Sequence, residues 1–223
     1  ADTVIANSLG VALTITTAAN DESHEIENLT IRGPIVINET ASLTGGKIVF
    51  RRVIFDNTGA QPSTLTRNCN AASPPEIVFE ECSGTFATFT ASGSGGSNTS
   101  FLKRQLPLQS PDLLAQAGKL GSAGIFSIIA AQSNIVQVTD RAYLVSSAVG
   151  GADILSLTGS GSYIVVLSDS DMDTNGALGT VVLFNSPGNA SVQMNHISLD
   201  SPVTAVVRDA GLSGNVNVSS SDY

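Results

Sequence analysis

Apolar residues recur along this chain in short runs that alternate with polar ones and stop at Gly, Asn, Ser or Asp. In the first half the runs are Val11 to Thr16, Ile26 to Ile31, Ile35 to Ile37, Lys47 to Phe50, Val53 to Phe55, Glu76 to Phe79 and Thr85 to Phe89. The second half continues with Ile125 to Ala130, Ile135 to Val138, Tyr143 to Val145, Ile154 to Leu157, Tyr163 to Leu167, Thr180 to Phe184, Val192 to Met194, Ile197 to Leu199, Val203 to Val207 and Val216 to Val218. Alternation over so few residues, with turn formers between the runs, predicts strands and an all-β fold: a sandwich, a barrel or a solenoid.

Two runs are near copies. Ile48-Val49-Phe50-Arg51-Arg52-Val53 and Ile77-Val78-Phe79-Glu80-Glu81-Cys82 each set an apolar triplet before two charges and a small apolar residue. Such a repeat suits a β-solenoid, whose coils stack like residues over like. Asn-Leu-Thr-Ile-Arg-Gly at 28–33 has the same character, an alternating strand closed by a Gly corner. On these residues the chain resembles the right-handed parallel β-helix family of pectate lyases, polygalacturonases and viral tailspikes, most closely over residues 26–90 and more loosely from 125 onward. The expected fold is therefore all-β, a parallel β-helix or a related multi-sheet assembly.

One segment breaks the pattern. Ser110-Pro111-Asp112 through Gly118 places a cap, a first-turn Pro and Asp, and a closing Gly around Leu113-Leu114-Ala115, which predicts one short helix over 111–118. It follows the Gly/Ser stretch that begins at Ala91. The expected organisation is an N-terminal solenoid segment at 1–90, a Gly/Ser-rich linker with the helix at 91–121, and a C-terminal β segment at 122–223.

Composition narrows the partners. Hydrophobic residues are 42% and charged ones 13%, a balance that excludes a disordered chain. Ten basic against nineteen acidic side chains give −9, which argues against a surface built for phosphates or anionic lipid. Nucleic acid is not an expected partner, and no apolar run approaches the roughly 18 residues of a membrane-spanning helix. The acidity is uneven: Arg141 and Arg208 are the only basic residues after 121, against eight Asp.

Three of those Asp fall together in Asp169-Ser-Asp171-Met-Asp173-Thr-Asn175-Gly176. From Asp171 this matches the first half of a calcium loop, in which oxygens at alternate positions converge on a hard cation; Val182 stands where the bidentate Glu should be. Two readings stay open: a calcium site made by Asp169, Asp171, Asp173 and Asn175, or an Asn-Gly hairpin or solenoid corner carrying solubilising Asp. Cys69 and Cys82 are likewise open to two readings. A bridge between them would stabilise by about 3 kcal/mol in the chain-entropy model; alternatively Cys82 is a small buried hydrophobe.

Catalytic machinery is not evident. The Asp-Asp pair and Gly-His-Gly of polygalacturonase-like enzymes are missing, His24 and His196 stand apart from any nucleophile motif, and adjacent strand residues such as Glu80 and Glu81 should point to opposite sides. No catalytic residue is assigned. The leading expectation is a structural or attachment module of a virion, capsid, fibre or cell surface: extracellular, homotrimeric by the resemblance, and binding a glycan or protein receptor. Two alternatives remain, a secreted calcium-dependent polysaccharide lyase or glycoside hydrolase, and a glycan-binding β-sandwich. Absence of Trp weighs against both, because ring stacking is a common source of sugar affinity.

Overall fold

The computed structural model describes residues 3–7, 10–40, 45–56, 61–102, 119–122, 126–132, 134–146, 153–158, 160–174, 179–185, 188–199, 203, 205–209 and 216–220. Its strands form two sheets. A long sheet holds β1 (Thr3–Ala6), β3 (Ser23–Arg32), β5 (Lys47–Phe55), β7 (Glu76–Glu80), β8 (Ser83–Phe86), β10 (Ser97–Leu102), β11 (Lys119–Ser122), β13 (Asn134–Thr139), β14 (Tyr143–Ser146), β16 (Tyr163–Asp173), β18 (Ala190–Leu199) and β20 (Val216–Ser220). A short sheet holds β2 (Leu13–Thr17), β4 (Ile35–Glu39), β6 (Thr64–Asn68), β9 (Thr88–Gly93), β12 (Phe126–Ala130), β15 (Leu155–Thr158), β17 (Thr180–Asn185) and β19 (Ala205–Asp209).

The chain passes back and forth between the sheets, and every strand pairing among the described residues is parallel. That is a parallel β-solenoid. The near-copies of the sequence stack as a solenoid demands: Ile48 pairs with Ile77, Val49 with Val78, Phe50 with Phe79 and Arg51 with Glu80.

Inward positions form continuous columns. One runs Ile26, Phe50, Phe79, Phe101, Val138, Leu167, Met194. Within it the rings of Phe50, Phe79 and Phe101 lie 5.3 and 5.1 Å apart and nearly parallel, at 7° and 11°. Phe55, Phe86 and Phe89 meet this stack edge-on or tilted, so six of the eight Phe residues make one dry cluster between the sheets. Truncating a buried Phe of this kind costs about 3–5 kcal/mol.

The described residues contain no helix, and the helix expected over 111–118 lies outside them. The Gly/Ser stretch expected as a linker is, through residue 102, part of the coil: Ala91 to Gly93 end β9, and β10 begins at Ser97. Its glycines serve close approach. A Cβ on Gly93 would fall 2.1 Å from the Cys69 carbonyl oxygen, and one on Gly95 would fall 2.3 Å from that of Ala71. The Gly95 and Gly96 amides donate to those same carbonyls of Cys69 and Ala71. A tight corner stacked on the previous coil thus explains a composition that resembles a flexible tether.

Candidate functional site

The most concentrated chemistry lies on the outer face of the long sheet, at the corner midway along its strands. There the alternation is interrupted by one residue in the left-handed region: Asn28 (φ 56), Arg52 (φ 51), Glu81 (φ 55), Asp169 (φ 46) and His196 (φ 49), with Asp140 and Arg141 together in one coil. These residues stack, since Glu27 pairs with Arg51 and Leu29 with Val53, while Ser168 pairs with Asn195 and Ser170 with Ile197. A left-handed residue puts two successive side chains outside before the inward pattern resumes. Non-glycine residues accept it at a cost of about 1–2 kcal/mol each.

This corner corrects the expectation for Glu80 and Glu81. They are adjacent, yet the φ of Glu81 brings both to the same side, each against its own guanidinium. Arg51 Nε donates to Glu80 at 3.1 Å, and Arg52 approaches Glu81 at 3.6 Å. From the preceding coil Glu25 pairs with Arg51, and Glu27 reaches Arg52 at 3.0 Å and Arg51 at 3.9 Å. Asn28 Oδ1 accepts from Arg52 Nε at 2.7 Å, and Lys47 meets Glu76 at 2.8 Å. The two arginines form a rail clamped between carboxylates above and below. Its electrostatics agree: the hydrogen bond to Glu80 raises the Arg51 pKa. For Glu76, burial acts upward but is outweighed by Lys47 and by the Ser100 hydroxyl, and the carboxyl lies below its ordinary range. Carboxylates held this way are acceptors already engaged, an arrangement suited to rigidity.

The three Asp of the expected calcium loop all lie on strand β16, where residues two apart are separated by roughly 6.6 Å. Asp169 is an exposed corner residue 3.7 Å from His196 Nδ1, and Asp173 accepts from the Tyr143 hydroxyl at 3.2 Å. Asn175 lies outside the described residues. β16 and β17 belong to different sheets and so do not pair as a hairpin. Among the described residues no group of three or more His, Cys, Asp or Glu is placed to hold a metal ion.

Cys69 and Cys82 are free and buried. Cys69 follows β6 at the short-sheet corner. Cys82 sits beside the left-handed Glu81 and donates to the Phe50 carbonyl at 3.1 Å. Burial pushes the first thiol up to about 11 and the second to about 12, so neither is a nucleophile at neutral pH.

Sequence reasoning passed over one pair. Arg67 and Glu39 face the interior of the short sheet with fully buried side chains, Nε to Oε1 at 2.6 Å. Arg67 also donates to the Asn98 and Pro75 carbonyls at 2.9 and 2.7 Å and to the Ser97 hydroxyl at 3.3 Å. Burial raises the Glu39 pKa against the pull of Arg67. The signal was available: in Thr64-Leu65-Thr66-Arg67 the alternation that turns Leu65 inward turns Arg67 inward too.

A shallow cavity of about 340 Å³ crosses the last coils of the long sheet, lined by uncharged residues that include Val166, Ser168, Gln193, Asn195 and Ser219. No helix among the described residues is long and apolar enough to cross a membrane. Comparison with protein-family models, curated proteins and solved structures gave no match to this chain.

Proposed function

We propose that this chain is a structural or attachment module of a virion, fibre or cell surface, working as a homo-oligomer outside the cell. The observation that supports this reading is the in-register stacking through all described coils, with inward columns of apolar residues and an outer rail of paired charges. Such stacking gives a stiff, protease-resistant body, and the titratable groups of the rail are tied to one another. The experiment joins limited proteolysis to light scattering at micromolar concentration. A resistant core of multimeric mass is expected; rapid digestion to small fragments, or a single-chain mass, sinks the reading.

A second reading, reversible glycan binding, has the cavity at Gln193 and Asn195 in its favour, because amides and hydroxyls above an apolar floor suit a neutral sugar unit. Titration with a panel of neutral oligosaccharides tests it. Binding abolished by Gln193→Ala supports it, no binding removes it, and calcium-dependent cleavage would replace both readings with the lyase.

A further inference from the structure

We infer that the outer face of the short sheet is the surface on which a second copy of this chain docks. This rests on the assembly reading above and names the face responsible.

The argument begins with the distribution of charge. Outward positions of the short sheet form two columns. The first runs Thr14, Val36, Thr66, Thr90, then through the β12 register to Ser156 and Leu183. The second runs Thr16, Asn38, Asn68, Ser92, Ile129, Thr158, Asn185. None of these side chains is charged. The first outward charge is Arg208, on the last strand. A chain of net charge −9 repels its own copy wherever it presents carboxylates, and the long sheet presents them on β3, β7 and β16 and at the Glu81 and Asp140 corners. The short sheet is the broad face on which two copies meet without opposing like charges.

Three further features suit such a contact. Neighbouring strands stand about 4.8 Å apart, so two copies present ridges of the same period and can interdigitate. The side chains are short, and ordering Thr, Ser, Val or Asn at an interface costs less entropy than ordering Lys or Glu. Asn68 Nδ2 already donates to Asn38 Oδ1 at 2.6 Å, which fixes part of the second column before any partner arrives. Ile129, 43% exposed in that column, supplies an apolar anchor.

The test places a carboxylate in the middle of this face. Thr66→Glu and Thr90→Glu sit side by side on adjacent strands, and Ser156→Glu is a third, independent position should either fail to fold; Ile164→Glu on the long sheet is the control. Folding is checked by circular dichroism and mass by light scattering across a dilution series. The expected result is a wild type and an Ile164→Glu control of the same multimeric mass, with the short-sheet variants folded and dissociating at concentrations at least tenfold higher. If wild type is a single chain throughout, the assembly reading and this inference both fall. If wild type is multimeric and the folded short-sheet variants match it, or if Ile164→Glu alone dissociates, the face is wrong while assembly stands.

Discussion

On the long sheet the ion-paired side chains of Glu25, Glu27, Arg51, Arg52, Glu80 and Glu81 stand outside the coil, one above another. On the short sheet the pair Glu39–Arg67 stands inside, and the outward columns are uncharged from Thr14 to Asn185. The difference teaches that location outweighs number. Each exterior arginine is about a third exposed and keeps access to water, which screens the attraction even though Glu80 and Glu81 themselves are covered. The interior pair has been stripped of water, so each partner depends on the other and on the carbonyls of Pro75 and Asn98. The exposed carboxylates Glu25 and Glu27 thus matter less to stability than Glu39 inside.

The largest effect should come from Arg67→Ala, which leaves the Glu39 carboxylate buried without its counter-charge. A loss of about 3–5 kcal/mol is expected from denaturant midpoints at constant slope. The paired replacement Glu39→Leu with Arg67→Met should recover most of it, because an apolar pair carries no desolvation cost there. A single-variant loss under about 1 kcal/mol would erase the inside–outside contrast.

Next comes the manner in which the two sheets turn their corners. The turn from β9 to β10 relies on glycine because the backbone of the previous coil is too close for a Cβ; the corner midway along the long-sheet strands uses non-glycine polar and charged residues in left-handed geometry. Gly95→Ala must displace the Ala71 carbonyl and should cost about 1–3 kcal/mol by calorimetry. Arg52→Gly should cost less than Gly95→Ala, since release of backbone strain offsets part of the lost pairing with Glu27 and the covered Glu81. Equal losses would mean the corners are not built differently. Arg51→Ala should lose less than Arg67→Ala, and its loss should shrink as salt is added, whereas salt should leave the Arg67→Ala loss nearly unchanged.

The long-sheet rail was half legible in the sequence. The repeat of Ile48–Arg52 at Ile77–Glu81 gave the coil and its register, because period and residue type coincide only when coils stack. Its geometry was not, since alternation alone assigns Glu80 and Glu81 to opposite faces and nothing in those residue types signals a left-handed φ. Asp169 to Asp173 misled for a related reason. Asp disfavours strands, so the segment reads as a loop, but pairing with β18 on one side and with β13 and β14 on the other overrides that preference. Arg67 escaped because a charge is presumed outside, although strand periodicity placed it within.

The finest distinction is in pH. Glu76, outside, has its carboxyl below the ordinary value of 4.5, so the folded state holds its proton less tightly than the unfolded chain does. Its stabilising contribution is present above 4.5 and is lost as pH falls through the lowered value. Glu39, inside, is raised above 4.5 by burial, so its linkage has the opposite sign. Its contribution is complete below 4.5 and is lost as pH rises through the raised value. Removing each titration should therefore bend the acid limb in opposite directions. Unfolding free energy followed from neutral pH to below 4 should rise less steeply with pH in Glu76→Gln than in wild type, and more steeply in Glu39→Gln. The absolute stability of Glu39→Gln will be lower, since Arg67 loses its carboxylate, but the slope reads the titration independently of that offset. If both variants bend the same way, the two sheets do not place their carboxylates in opposite dielectric settings, and the contrast between rail and buried pair fails at its physical root.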